Sequence, residues 1–439
     1  MVLRVAATLQ IAALLMFMGC GGGSGGGGDG NGDGIDGGGP LDSAPDAGPA
    51  TVTLSVGDSA LPVEAALVAY QDGDGSWQIL AAADGTYQFV SELGHYAIAV
   101  VCVPDAGGPR VHVFRALASD TSTLFYNCPS SSREADFDGT VSGLEGEEYA
   151  ALSFGSEGDW VGNGPYHFLT APGTGDALAV RNRGLGAVIV RRGITVEVND
   201  SVFDFDMASA VPMEFPSASV VDYQDQEDLV LGSVFQTERG TADDLMRGEM
   251  GPLPPWFGSW NAAPTSLLSP RDIHHVIVAA GASPRRLLRA FVHEAGDVTL
   301  ALPGPTDEPA VTAAAVSPYV RLASDLPSAA GISAYELSFD DGNPADPFWS
   351  VLATKGWITA AGVDALETPD LSGLGGWDAA WGIETGNTVT WTMTAMTSNR
   401  GAGGLLDAHA AARGVPPPAG LDGVQIGSSI HSGEIEILP

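Results

Sequence analysis

Along most of the chain, apolar and polar residues alternate with a period of two, the pattern of strands with one buried face. Val52, Leu54 and Val56 alternate with Thr51, Thr53 and Ser55; Val389, Trp391, Met393 and Ala395 alternate with Thr390, Thr392 and Thr394. Val188-Ile189-Val190 and Ile194-Thr195-Val196-Glu197-Val198 read as strands flanking a turn at Arg192-Gly193. Asp72-Gly73-Asp74-Gly75, Asp84-Gly85 and Asp341-Gly342-Asn343-Pro344 supply further turns, because these residue types tolerate turn backbone angles. Helical periodicity is confined to 241–247 and 405–413, the second stopped by Gly414 and the prolines at 416–418. The pattern predicts an all-β fold of several tandem β-sandwich-like modules.

The N-terminus departs from this pattern. Arg4 is the only charge before an apolar run over 5–18, broken only by Thr8 and Gln10. The run is too short for a bilayer core, which needs roughly 20 apolar residues, and it suits the core of a signal peptide over 1–19. It ends at Phe17-Met18-Gly19-Cys20. A small residue followed by Cys at this place resembles the lipobox of bacterial lipoproteins, although Phe17 stands where that family prefers Leu. The resemblance implies cleavage before Cys20 and acylation of that cysteine by palmitate-like chains. Several acyl chains on one residue anchor stably where one is marginal. Gly21 follows the cysteine, where some lipoproteins carry an Asp that retains them in the inner membrane. That favours the outer membrane, on its periplasmic face or at the cell surface.

Residues 20–49 are mostly Gly with Asp, Ser, Pro and Ala. Such a composition cannot bury a core, so the segment reads as a disordered tether with an r.m.s. reach of roughly 30 Å. Asp29, Asn31 and Asp33 resemble the start of a calcium loop. Pro40 occupies the place of the closing acid, so a solvated acidic linker is the favoured reading and no metal is assigned. Gly22-Gly23-Ser24-Gly25-Gly26 matches a hydrolase elbow without the strand-turn-helix setting that motif requires.

Charge and cysteines narrow the class. The chain carries 18 basic and 54 acidic residues, a net charge of −36, and Lys355 is the only lysine. Such a surface repels phosphate backbones, which argues against nucleic-acid partners, and it repels anionic lipid, which leaves membrane attachment to the lipid anchor. With Cys20 acylated, Cys102 and Cys128 are left of the 3 cysteines. In an exported protein they read as a disulfide, two buried free thiols being the alternative.

The folded part divides into modules at 50–130, 136–206, 207–303 and 308–439. Two of them repeat a motif. Gly85-Thr86-Tyr87-Gln88-Phe89, then Gly94, then Ala97-Ile98-Ala99-Val100 matches Gly164-Pro165-Tyr166-His167-Phe168, then Gly173, then Ala177-Leu178-Ala179-Val180. Tyr and Phe fall on one face of the first strand, and the apolar run reads as its return strand after a glycine turn. The motif resembles the prealbumin-like modules of carboxypeptidase regulatory domains and bacterial surface proteins. That resemblance implies a spacer or binding module without catalytic residues. In 207–303 the expected strands are 229–236, 273–279, 287–292 and 297–302.

Candidates for chemistry are sparse. Asp272, His274, His275, His293 and Glu294 are the densest group, but adjacent His residues on a strand point to opposite faces. The favoured reading is partly exposed strand histidines. Asp340, Asp341 and Asp346 precede Trp349, as paired carboxylates in a glycosidase would, but an acidic turn gives the same pattern. Asp204 and Asp206 alternate about Phe205 at a strand end. Trp377 and Trp381 are candidate ligand-binding residues, since tryptophan faces stack on sugars; packing into the core is the favoured alternative. The expectation is a non-enzymatic envelope or cell-surface lipoprotein acting as a structural or binding module, without a cofactor, its partner an envelope protein or a glycan. A carbohydrate-binding lipoprotein is the first alternative and a secreted hydrolase the second.

Overall fold

The computed structural model describes residues 49–437, apart from 59–60, 84, 105–106, 129–134, 182–185, 199–200, 225–226, 251–255, 282–283 and 344. Cys20, the tether and the calcium-like Asp29, Asn31 and Asp33 lie outside the described residues. The fold is all-β, as the alternation predicts. Only two α-helices, Lys355–Ala361 and Gly401–Ala412, occur among the described residues. Neither is long and apolar enough to cross a membrane.

One strand topology occurs three times. In the first copy, Ala50–Asp58 pairs antiparallel with Thr86–Ser91 and parallel with Thr123–Asn127. The opposing layer is Leu67–Asp72, His95–Cys102 and Arg110–Leu117. In the second, Ala135–Ser142 pairs antiparallel with Gly164–Thr170 and parallel with Phe205–Asp206. Ala150–Phe154, Gly173–Arg181 and Ala187–Val196 oppose it. In the third, Ser217–Val221 pairs with Trp256–Ser259 and, in parallel, with Val298–Ala301, opposite Leu229–Gln236, Ile273–Ala280 and Arg285–Val292. The third copy lacks the Gly-x-Tyr-x-Phe motif, so the sequence pattern exposes only two.

The glycine turn of the motif is an arch between sheets. Thr86–Ser91 and His95–Cys102 lie in different sheets, as do Gly164–Thr170 and Gly173–Arg181; the apolar run is therefore not the hairpin return of the aromatic strand. Both halves bury side chains into the space between layers: Tyr87 and Phe89 from one side, Tyr96, Ile98 and Val100 from the other. Each such large apolar side chain contributes about 1.5–3 kcal/mol on burial. The Cys102–Cys128 disulfide, with Cα atoms 5.6 Å apart, ties the two layers of the first copy together.

The C-terminal segment inserts Ile332–Asp340, Phe348–Thr354, Thr388–Ser398 and Gln425–Glu436 between the first and third copies. Phe348–Thr354 runs parallel to Arg110–Leu117, and Gln425–Glu436 antiparallel to Arg285–Val292. The result is one continuous 12-stranded sheet. On one face Trp349, Trp357, Trp381 and Trp391 join Tyr319, Leu337 and Phe339 in a core. On the other face lie the first copy's core and the helix Gly401–Ala412.

Two local expectations are corrected. Residues 242–247, expected as helix, belong to the strand Ala242–Met250, paired along Leu229–Gln236; an open sheet edge outweighs the weak helix preference of Ala-Asp-Asp-Leu. Arg192-Gly193 is a bulge rather than a turn, within the single strand Ala187–Val196, where the two residues face Asp176 alone. Gly193 has φ +60° there, which a side chain would oppose. The Asp176 carboxylate accepts from Arg192 Nη1 at 3.1 Å and from Gly193 N at 2.9 Å. The bulge thereby aims Arg192 at Asp272 of the third copy, which it meets in a fork.

Candidate functional site

Of the histidines singled out from sequence, His274 and His275 are buried, at 0% and 3% exposure, and only His293 is partly exposed as expected. His274 and His275 do point to opposite faces. His274 packs on Phe235 and Trp260 and accepts at Nε2 from Ala263 N, 3.0 Å away. His275 packs on Phe291. Burial holds His274 down at about 4, and burial with the Arg289 charge holds His275 well below the imidazole range. Asp272 is spent on Arg192 and on the backbone N–H groups of Glu238 and Ser269. His293 contacts the Asp272 carbonyl. Among the described residues no three His, Cys, Asp or Glu side chains gather as metal ligands.

The acidic turn is self-bonded. Asp340 Oδ1 accepts from Gly342 N at 2.7 Å, and Asp346 Oδ2 accepts from Asn343 Nδ2 at 2.7 Å. Burial and the neighbouring Asp346 raise Asp341. Asp204 accepts from Thr140 N, and Asp206 caps a 3-10 turn at Ala208 N. Trp381 is buried, and Trp377 is half-buried with its ring stacked on Tyr319 at 5.3 Å and edge-on to Trp381 at 5.3 Å.

Sequence reasoning missed a cavity of about 190 Å³ between the helix Gly401–Ala412 and the strand Thr123–Asn127. Its walls are largely apolar, with Phe114, Leu124, Tyr126, Leu406, Val415 and Pro416, and Asp407, His409 and Arg413 bring polar groups to them. The helix seats closely because its first turn is glycine: a Cβ on Gly403 would stand 2.6 Å from the Asp120 carbonyl oxygen. Its far end is held from both sides. Asn127 Nδ2 donates to the Arg413 carbonyl at 2.8 Å, and Gln236 Nε2 donates to the Val415 carbonyl at 2.9 Å. Gln236 Oε1 lies 2.9 Å from His275 Nε2, so that imidazole nitrogen is the donor. The helix thus bridges the first and third copies above the inserted strands.

Beneath the helix the sheet is unusually polar for a buried surface. Arg413 Nη2 donates to Glu336 Oε1 at 2.9 Å, and Ser350 Oγ donates to the same oxygen at 2.5 Å. His112 lies behind the cavity wall, its ring 4.5 Å from that of Tyr126. Neither ring nitrogen of His112, nor Nε2 of His409, has a hydrogen-bond partner among the described residues. Burial lowers both imidazoles well below their usual range, and the surrounding cations push the same way: Arg413 and Arg110 at His112, Arg413 and Arg289 at His409. Burial raises the Asp407 carboxyl. The arrangement can take up a small apolar molecule; the unpartnered imidazole nitrogens are buried, and buried polar atoms without partners are costly. The sequence signals are a lone His inside Val111-His112-Val113 and the four-residue spacing of His409 and Arg413, which places both on one helix face.

No protein-family model matches the chain. No curated protein matches it either. Among solved structures, it is similar to a tetra-tandem repeat from the extending region of a large adhesion protein, at 11% identity and TM-score 0.16, over 89% of this chain and 100% of that one. It is also similar to the FN1–FN3 domains of chicken CNTN1, at 8% identity and TM-score 0.14, over 58% and 84%. A Bacteroides uniformis protein provisionally described as carbohydrate-binding matches at 8% identity and TM-score 0.14, over 69% and 99%. Scores this low carry no argument about function; the fold rests on the strand pairing described above.

Proposed function

We propose that the chain is an exported lipoprotein, held at a membrane by lipid on Cys20, whose folded body is a non-catalytic binding and structural module. The observation that carries the reading is the bridged scaffold. Strands from three sequence segments share one 12-stranded sheet, and a helix spanning the first and third copies walls a cavity on it. A continuous sheet resists relative movement of its parts and presents a fixed surface at the end of a long tether. The signal-peptide core, the cysteine that ends it and the glycine-rich stretch after it support the anchoring. Gly21 supports the outer membrane as its place. Carbohydrate binding through Trp377 and Trp381 has less support, since both rings pack on protein partners.

The test is crosslinking on intact cells, followed by assay of the purified chain on ester, peptide and glycoside substrates. A reproducible adduct with an envelope component and no turnover is the expected result. Turnover of any of these substrates, lost on mutation of a single residue, would overturn the non-catalytic reading.

A further inference from the structure

We infer that the cavity under the helix Gly401–Ala412 is a binding site for a small, largely apolar amine, whose ammonium meets the exposed Asp407 carboxylate at the cavity wall. The inference rests on reading the chain as a binding module and adds the class of ligand.

Size and lining set the body of the ligand. A dry apolar cavity of about 150 Å³ accepts a benzene-sized molecule; about 190 Å³ suits one ring or a short alkyl chain. Phe114, Leu124, Tyr126 and Leu406 offer such a body apolar contact, and burying it stabilises the complex by roughly 25 cal/mol per Å² of apolar surface.

The charge that the wall leaves open sets the head. Asp407, His409 and Arg413 all line the cavity. Arg413 is turned to Glu336 beneath the helix, with its side chain 8% exposed, so its charge is already matched. His409 is 4% exposed, and burial keeps its imidazole neutral. Asp407 is exposed, and no described residue gives its carboxylate a hydrogen bond or an ion pair. Contact with the wall raises it, and no cation of the chain lowers it.

An ammonium supplies the counter-charge that the protein does not, and its N–H groups donate to the carboxylate in charge-assisted bonds. An anionic head at the same place meets a like charge and is repelled. Phe114, Phe125 and Tyr126 bring rings to the walls, and aromatic faces attract cations. The net charge of −36 concentrates cations at the surface of the molecule.

The experiment is calorimetric titration of the purified full-length chain near pH 7 with benzylamine and hexylamine, with benzyl alcohol and hexanol as neutral counterparts, and with benzoate and hexanoate as anionic ones. The proposal expects an amine to bind about fivefold more tightly than its alcohol, which is what one partly exposed ion pair supplies, and the anions to bind most weakly. Asp407→Asn should bring amine and alcohol to equal affinity. Asp364→Asn, which removes the same charge at an exposed position outside the cavity wall, should leave the amine preference unchanged. Leu406→Trp, which fills the space, should abolish binding; Asp407→Asn decides the matter if Leu406→Trp does not fold, since an exposed Asp can be replaced without disturbing the core. Equal binding of amine and alcohol, an anion bound as tightly as the amine, a preference kept in Asp407→Asn or lost equally in Asp364→Asn, unchanged binding in a folded Leu406→Trp, or no binding of any probe at millimolar concentration would each overturn the proposal. Those outcomes leave an envelope adduct on intact cells unaffected, so failure of the cavity and failure of the module reading are distinguishable.

Discussion

Arg413 and Glu336 meet at 2.9 Å with side chains 8% and 2% exposed, and the contact fixes the end of the cavity helix to the sheet beneath it. Removing one partner leaves the other charge buried and uncompensated, which typically costs 3–5 kcal/mol. Arg413→Met should destabilise the chain by about that much. Adding Glu336→Gln to it should restore part of the loss, because the stranded carboxylate is gone. Urea denaturation of the two single variants and the double variant gives the coupling directly.

Acid should unfold the protein early. His112, His275 and His409 stay neutral well below the usual imidazole range, and His274 titrates at about 4. In the unfolded chain all four titrate near 6.5. Their folded values are depressed, so the unfolded chain binds more protons as pH falls through 6.5. Stability present above that pH is lost below it. Four protons give a slope of up to about 5 kcal/mol per pH unit between about 6 and 4. The urea midpoint measured across this range should fall steeply, and less steeply in His274→Gln.

Asp243 should act in the opposite sense. Burial raises its carboxyl to about 7, against a bond donated by Ser153 Oγ of the second copy at 2.6 Å. A carboxyl raised in the fold binds a proton that the unfolded chain has already lost. Its effect on stability is therefore most favourable below about 4 and declines as pH rises to about 7. Asp243→Asn should remove this decline, leaving the variant relatively more stable at pH 8 than at pH 5 when each is compared with the parent chain.

The all-β class, the alternating strands at Ala50–Asp58 and Thr388–Ser398, the Cys102–Cys128 pair and the helical stretch near 405–413 are legible in the sequence because each depends on local periodicity or on cysteine count. The third topological copy is not. Its arch lacks the Tyr and Phe that mark the other two, and its likeness lies in pairing between distant strands. The insertion of four C-terminal strands between the first and third copies is hidden for the same reason, since edge-to-edge pairing leaves no local pattern. The cavity is hidden because it needs Asn127, Gln236 and Arg413, far apart in the chain, to converge. Trp377 and Trp381 could be read as sugar platforms beside the favoured core reading because composition cannot distinguish a core ring from a surface one.

The disulfide should matter most for the cavity. It pins the strand Thr123–Asn127, which forms one wall, to the sheet opposite. Closing a loop of 26 residues stabilises by roughly 3 kcal/mol through chain entropy. Replacing both cysteines with serine should lower the urea midpoint by a corresponding amount and raise hydrogen exchange in 123–127 before it rises in Thr388–Ser398, which is paired on both sides.

Trp381 is 8% exposed in the aromatic core, so Trp381→Ala should destabilise by about 3–5 kcal/mol. Trp377, half-buried, should lose less. Thermal melts of the two variants read the difference.

Metabolic labelling with radioactive palmitate tests the central claim most directly, because a tethered module at the membrane requires the lipid. Cells expressing the natural chain should yield a labelled band that sediments with membranes, and the Cys20→Ser chain should carry no label and leave the membrane fraction. An unlabelled natural chain, or label retained after Cys20→Ser, would contradict the account.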